Sequence, residues 1–245
     1  GAVVRPMDFD HDGDIDLFLG ARVKREEFPL APASYLLINE GEDFRPVELD
    51  LGMVTDAVWS DYDGDGWEDL LVSREWNSIA LLENEAGARL APSSHAELES
   101  ASGLWSAITA ADLDGDGDED YVVGNLGENH RFILSEAHPM RLYALDIDMN
   151  GQIDPIQSAY WEDSTGVLQE YPIHFLDELA SQSPYFRRSY NSYKEFSKAT
   201  IPSMMQVDKM AEDQVFSLTT TSSYILWNEN GKFRWERLPA AAQVA

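Results

Sequence analysis

Apolar residues recur at every second position in short runs along most of this chain, and clusters rich in Asp, Gly and Asn separate the runs. Alternation with period two over four to eight residues is the mark of a strand with one buried face. It predicts strands over 2–6, 17–21, 34–39 and 44–49, then over 55–60, 70–73, 79–83 and 89–91. Four short strands in each unit of about fifty residues point to blades of a propeller or solenoid. The expected fold class is all-β: three to four β-propeller blades of four antiparallel strands. Blade 1 spans 1–51 and blade 2 spans 52–102. Residues 103–245 hold blade 3 and a possible partial blade 4.

A second internal match supports the repeat. "SYLLINEGEDFRPVEL", from Ser34, aligns without a gap with "SYILWNENGKFRWERL", from Ser223. "ALLENEAGARL", from Ala80, is a looser third copy. Each reads as a hairpin with Asn-Glu at its turn. The loop and strand over Leu104–Leu126 therefore find their hairpin only at Ser223, after nearly a hundred intervening residues. That interval holds a helical pattern: Phe175, Leu176 and Leu179 follow helical spacing, as do Tyr193 and Phe196. Ser183 before Pro184 reads as a cap and a break between two helices. A small helical insertion is expected over about 172–212. Tyr185, Phe186, Arg187, Arg188 and Tyr190 would be either a ligand-binding lid or aromatic packing onto the blades, and packing is the favoured reading.

Between the first two strands of each unit lies an acidic loop that occurs four times. The loops are Asp8-Phe-Asp10-His-Asp12-Gly13-Asp14-Ile-Asp16; Asp61-Tyr-Asp63-Gly-Asp65-Gly66-Trp67-Glu-Asp69; Asp112-Leu-Asp114-Gly-Asp116-Gly117-Asp118-Glu-Asp120; and Asp146-Ile-Asp148-Met-Asn150-Gly151-Gln152-Ile-Asp154. Positions 1, 3, 5 and 9 are Asp throughout except Asn150, and position 6 is always Gly. A hard cation such as Ca²⁺ takes six to eight oxygens, which carboxylates at alternate positions of a curling loop can supply. Glycine permits the left-handed conformation that turns the loop. Position 7 (Asp14, Trp67, Asp118, Gln152) would offer its backbone carbonyl, so its side chain varies. Mg²⁺ suits such a loop less well, because it demands a strict octahedron and keeps its waters. An EF-hand shares the opening residues but needs Glu at position 12, where Leu19, Val72, Val123 and Gln157 stand. Up to four Ca²⁺ ions are expected, the fourth loop being the least acidic.

Charge points the same way. With 45 Asp and Glu against 17 Lys and Arg, the chain carries a formal −28. Seventeen of those acids are the aspartates of the four loops. Such a balance argues against nucleic acid, whose phosphates need clustered cations. It argues equally against an anionic membrane surface. No apolar run is long enough to span a bilayer. There is no cysteine for a disulfide, a thiolate site or a nucleophile. His11, His95, His130, His138 and His174 show no zinc spacing, and neither a Gly-x-Ser-x-Gly elbow nor a Gly-rich phosphate loop occurs. The expectation is a protein without enzymatic activity. Among the tryptophans, Trp76, Trp105 and Trp161 would form either a sugar-stacking platform or wedge packing between blades, and Trp67 is expected at the surface. The chain opens at Gly1 inside a strand pattern, which reads as a processed product or a piece of something longer.

The loops and their flanking strands resemble the FG-GAP/VCBS repeats of integrin-α-like β-propellers. "ITAADLDGDGDEDYVVGNLGEN" followed by "HPMRLYALDIDMNGQIDPI" is similar to bacterial extracellular VCBS-repeat proteins of the ASPIC/UnbV-associated type. The resemblance implies a secreted or surface-anchored bacterial protein that binds calcium through its loops. The family's biochemical role is mostly unassigned; from the four in-register loops with their strand flanks, the leading expectation is adhesion or recognition of a protein or carbohydrate ligand. The alternatives are the scaffold of a polysaccharide hydrolase or lyase, and a structural spacer. Three to four blades are present where the integrin-like propeller has seven.

Overall fold

The computed structural model describes residues 3–132, 134–205, 211 and 214–244. Strands β1 (Val3–Met7), β2 (Asp16–Gly20), β3 (Ser34–Asn39) and β4 (Phe44–Leu49) form an antiparallel sheet in chain order. A second sheet repeats this with β5 (Val54–Ser60), β6 (Asp69–Asn77), β7 (Ala80–Asn84) and β8 (Leu90–Ser93). After the short helix α1 (Ala96–Glu99), β9 (Gly103–Leu104) pairs with the far end of β6. The chain then lays down β10 (Ala107–Ala111) and β11 (Asp120–Gly124) and departs. It forms β12 (Met140–Leu145), β13 (Asp154–Glu162) and β14 (Leu168–Pro172). Helices α2 (Leu176–Gln182), α3 (Pro184–Ser189), α4 (Tyr193–Phe196) and α5 (Ile201–Met204) follow, then β15 (Val215–Leu218). It returns with β16 (Tyr224–Asn228) and β17 (Phe233–Arg237), which complete the third sheet in the order β10-β11-β16-β17. The fourth sheet has the order β14-β13-β12-β15. The fold is therefore mostly β, with four antiparallel, blade-like sheets, none of them closed on itself. Ala2, in the first predicted strand, and residues 206–210 and 212, at the end of the predicted insertion, lie outside the described residues.

Two units emerge. Gly1–Lys24, Leu30–Asn129 and Thr221–Ala245 make the first, and Arg25–Pro29 with His130–Thr220 make the second. In the first unit the middle sheet explains its own sequence. Leu70, Leu71 and Val72 of β6 are all fully buried. Leu70 and Val72 face a core with Phe9, Phe18, Leu36 and Val54, whereas Leu71 faces a second core with Trp105, Tyr121, Leu226 and Phe233. A strand covered on both faces reads as a continuous apolar run, and each such side chain contributes roughly 1.5–3 kcal/mol by leaving water. Trp105 lies in the second core with no exposed surface, stacked on Trp235 at 5.4 Å, and its indole N–H donates to the Asn77 carbonyl at 2.9 Å. Trp76 is also buried, so neither of these two rings offers a sugar platform.

A recurrent asparagine joins successive sheets. Asn84, at the end of β7, donates from Nδ2 to the Phe9 carbonyl of the preceding sheet's acidic loop at 3.0 Å. Asn228, at the end of β16, does the same to the Tyr62 carbonyl at 2.7 Å. Their Oδ1 atoms accept the N–H of Gly87 and Gly231, which fixes the hairpin turn. Gly87 approaches so closely that a Cβ there would lie 2.8 Å from the Asp10 Cα. The Asn-Glu turn of the repeat is thus a latch between blades as well as a turn.

In the second unit, α2 and α3 break where Ser183 accepts the N–H of Tyr185 and Pro184 opens the next helix. Leu176, Leu179, Phe186 and Ile201 bury themselves against Tyr143 and Ile156 of the sheet. Packing is therefore what the insertion's Phe186 does, while Arg187 stays exposed and pairs with Asp177 at 2.9 Å. Within the sheet, Glu170 accepts from Tyr143 Oη at 2.8 Å, Ser158 Oγ at 2.6 Å and Arg141 at 2.9 Å. This buried carboxylate is fully satisfied, so it serves as a structural ion cluster.

Two measurements test these supports. Asn84→Ala should cost about 2 kcal/mol in urea unfolding, because a buried carbonyl and N–H lose their partner. Glu170→Ala should cost about 3 kcal/mol by the same measurement, since it strands a partly buried guanidinium.

Candidate functional site

The four acidic loops occupy equivalent places. Each joins the first two strands of its hairpin pair: β1 to β2, β5 to β6, β10 to β11, and β12 to β13. The glycines at position 6 are all left-handed, with φ of 97° at Gly13, 91° at Gly66, 103° at Gly117 and 86° at Gly151. A Cβ on any of them would meet nothing within 4 Å, so the requirement is conformational, not steric. Position 4 is left-handed as well, at His11, Gly64, Gly115 and Met149. Two such residues two apart curl the loop onto itself.

The curl gathers positions 1, 3 and 9. Asp8, Asp10 and Asp16 each present a carboxylate oxygen within 4.8 Å of the others, as do Asp61, Asp63 and Asp69; Asp112, Asp114 and Asp120; and Asp146, Asp148 and Asp154. In every loop the ninth residue is the buried one. It accepts hydrogen bonds from the surrounding backbone. Asp16 Oδ2 accepts the Phe9 N–H at 2.8 Å, and Oδ1 accepts the Asn39 N–H at 2.7 Å. Asp120 repeats both contacts with Leu113 and Asn228. Asp69 holds the Asn84 N–H at 2.8 Å, and Asp154 holds the Ile147 N–H at 3.1 Å. The latch asparagine and the ninth aspartate are therefore tied to each other through the backbone.

The remaining predicted positions stand outside these triads. At position 5, Asp12, Asp65, Asp116 and Asn150 each turn a side-chain oxygen to the N–H of position 7, at 2.7 to 3.0 Å. That contact is an Asx turn, which closes the loop locally. At position 7, Asp14 and Gln152 are exposed, and Asp118 accepts the Asn230 N–H at 2.8 Å. Trp67 differs from the expectation of an exposed ring. It is half-buried, stacked on His11 at 4.2 Å between centroids, with the backbone of Gly87 close against it. The neighbouring loop and hairpin cover it.

Electrostatics show what the clusters lack. Among the described residues, the buried side-chain oxygens without any hydrogen-bond partner are Asp8 Oδ1, Asp69 Oδ2 and Asp148 Oδ1, all three of them members of these triads. At least one carboxyl in each loop titrates above its ordinary range. Burial raises Asp10, helped by the charges of Asp12 and Asp16. Burial likewise raises Asp63, Asp114 and Asp154. Asp69 is pushed up to about 7, chiefly by burial. Converging hard oxygens, the unpaired lone pairs in three of the four loops, and carboxyls reluctant to ionise are compatible with a cation in each triad. Each triad can hold a metal ion.

Comparison with known proteins agrees with this repeat. Residues 61–123 match the family model of the FG-GAP-like repeat. The match runs from the first aspartate of the second loop to β11, so it includes both the second and third triads. No curated protein matches the chain. The first and fourth loops lie outside the match but share its carboxylate geometry. From its second acidic loop to its third, this chain is similar to an FG-GAP-like repeat.

Proposed function

We propose that this chain is a calcium-stabilised recognition segment that works outside the cell and performs no chemistry of its own. The observation that carries this reading is the fourfold recurrence of three convergent aspartates, three of whose buried oxygens are otherwise unpaired. Positions 1, 3 and 9 would hold Ca²⁺, with the carbonyl of position 7 completing an all-oxygen set. Ca²⁺ suits the set because it accepts many oxygens in flexible geometry. Bound calcium would offset two of the triad's three negative charges and lock the loop to the hairpin behind it. Extracellular modules of this composition bind at about 10⁻⁴–10⁻³ M, which leaves them empty at cytosolic calcium and filled outside. The FG-GAP-like repeat supports a role in adhesion or ligand recognition.

Isothermal titration should find several Ca²⁺ per chain, up to four, and chelation should lower the melting temperature. At a hundred times its Kd, each site adds about 2.7 kcal/mol. Absence of any calcium heat from folded protein would overturn the proposal. A sharper test is Asp69→Asn. In the metal-free fold Asp69 holds its proton to about pH 7, whereas the unfolded chain releases it near 3.8. The folded state therefore binds more protons across that window, and its stability falls as pH rises through it. Asp69→Asn should raise the melting temperature in EDTA at pH 7.5 and flatten the decline between pH 5 and 7.5. In saturating calcium the same substitution should lower the melting temperature.

A further inference from the structure

Outside the acidic loops, the second unit contains a cavity of about 410 Å³, within the range of small-molecule sites. Its walls come from β13, β14 and α4, and from the segment leading into α2. Although 45 of the 245 residues are acidic, no residue lining this cavity is. Aromatic side chains dominate the walls. Phe175 and Tyr193 are 70% and 59% exposed, an unusual state for two large rings lining one cavity. Trp161 and Tyr171 line it too, half-buried and 6.5 Å apart.

One cation addresses this space. The Arg131 guanidinium lies 5.7 Å from the Trp161 ring centroid. Among the described residues it has no carboxylate partner, whereas Arg141, Arg187, Arg234 and Arg237 all do. An unpaired guanidinium among aromatic rings keeps its planar fork of donors free for a carboxylate. Among the lining's other polar side chains are His174, whose Nδ1 lies 4.0 Å from a Glu178 oxygen, Tyr193 and Ser197. Tyr193 Oη is committed to Asp177, and Ser197 Oγ donates to the Lys194 carbonyl at 3.1 Å. A hydroxyl-rich sugar ring would leave most of its hydrogen bonds unmade here, at about 1–3 kcal/mol for each buried group. A cationic ligand would meet Arg131 and no acid.

We infer that this cavity binds a small organic anion with a flat apolar body, an aryl carboxylate, with its ring between Phe175 and Tyr193 and its carboxylate on Arg131. The inference is independent of the calcium reading, because none of the four triads contributes a residue to the cavity.

The test uses the whole chain in saturating calcium, titrated with 2-naphthoate and followed by calorimetry and tryptophan fluorescence. Naphthoate should bind saturably at one site. Naphthalene-2-carboxamide, of the same shape without the charge, should bind at least about tenfold more weakly, the worth of a charged hydrogen bond. Arg131→Gln should impose a similar loss with unchanged near-ultraviolet circular dichroism, and Phe175→Ala, on an exposed ring, should weaken binding several-fold. A naphthyl phosphate arm reports whether the site prefers phosphate, and a galacturonate arm whether it prefers an acidic sugar. The proposal fails if the amide binds as well as the acid, if Arg131→Gln has no effect, if either alternative anion binds more tightly than naphthoate, or if naphthoate does not bind to folded protein.

Discussion

The ninth aspartate of each acidic loop is the constraint on which the blades depend. It is a charged residue placed where only a few per cent of its surface is exposed, and burial of a carboxylate is tolerated only when its lone pairs are used. Backbone N–H groups use part of that capacity, from the loop on one side and the hairpin on the other. The other carboxylates of the triad add repulsion. A single buried group thus couples loop conformation, hairpin register and local charge. The loop's two left-handed residues, the asparagine latch and the position of the hairpin turn all follow from the need to satisfy it.

Much of this was legible in the sequence because it is local. Strands 34–39 and 44–49 are found where alternation puts them, and Ser183-Pro184 breaks the helices as its side-chain chemistry dictates. The convergence of positions 1, 3 and 9 follows from spacing and glycine alone. What could not be read depends on distant partners. Strand β6 runs on to Asn77, beyond the predicted end at 73, because Leu104 and Gly103 pair with its extension. Trp67 is covered by His11 and Gly87, which belong to another loop and a later hairpin. At position 5, the Asx turn to position 7 is a contact that spacing alone did not disclose. The asparagine latch left a trace in the repeated Asn-Glu turns, but only the blade-to-blade contact reveals its second bond.

Polar burial takes two forms in this fold. In the acidic loops of both units, Asp8 Oδ1, Asp69 Oδ2 and Asp148 Oδ1 are buried with no hydrogen-bond partner among the described residues. In the second unit, Glu170 is instead saturated by protein donors. The same side-chain chemistry leaves lone pairs open where its partners are missing and braces the fold where they are present. The contrast separates a responsive carboxylate from an inert one by its hydrogen-bond inventory, without reference to charge count.

The route of the chain through the third sheet has a kinetic consequence. β11 and β16 are neighbours, with Val123 opposite Tyr224, yet His130–Thr220, the bulk of the second unit, lies between them in sequence. At the neck, Asn125 and Gly127 bond across to Ser223 and Thr221. On the ribosome, the first two sheets can assemble while the third remains a two-strand stub with an exposed edge. That edge stays open until the last strands emerge, roughly 5–20 seconds per hundred residues later. The intervening unit, if it collapses early on its own core, shortens the effective tether and lowers the entropy of closing it.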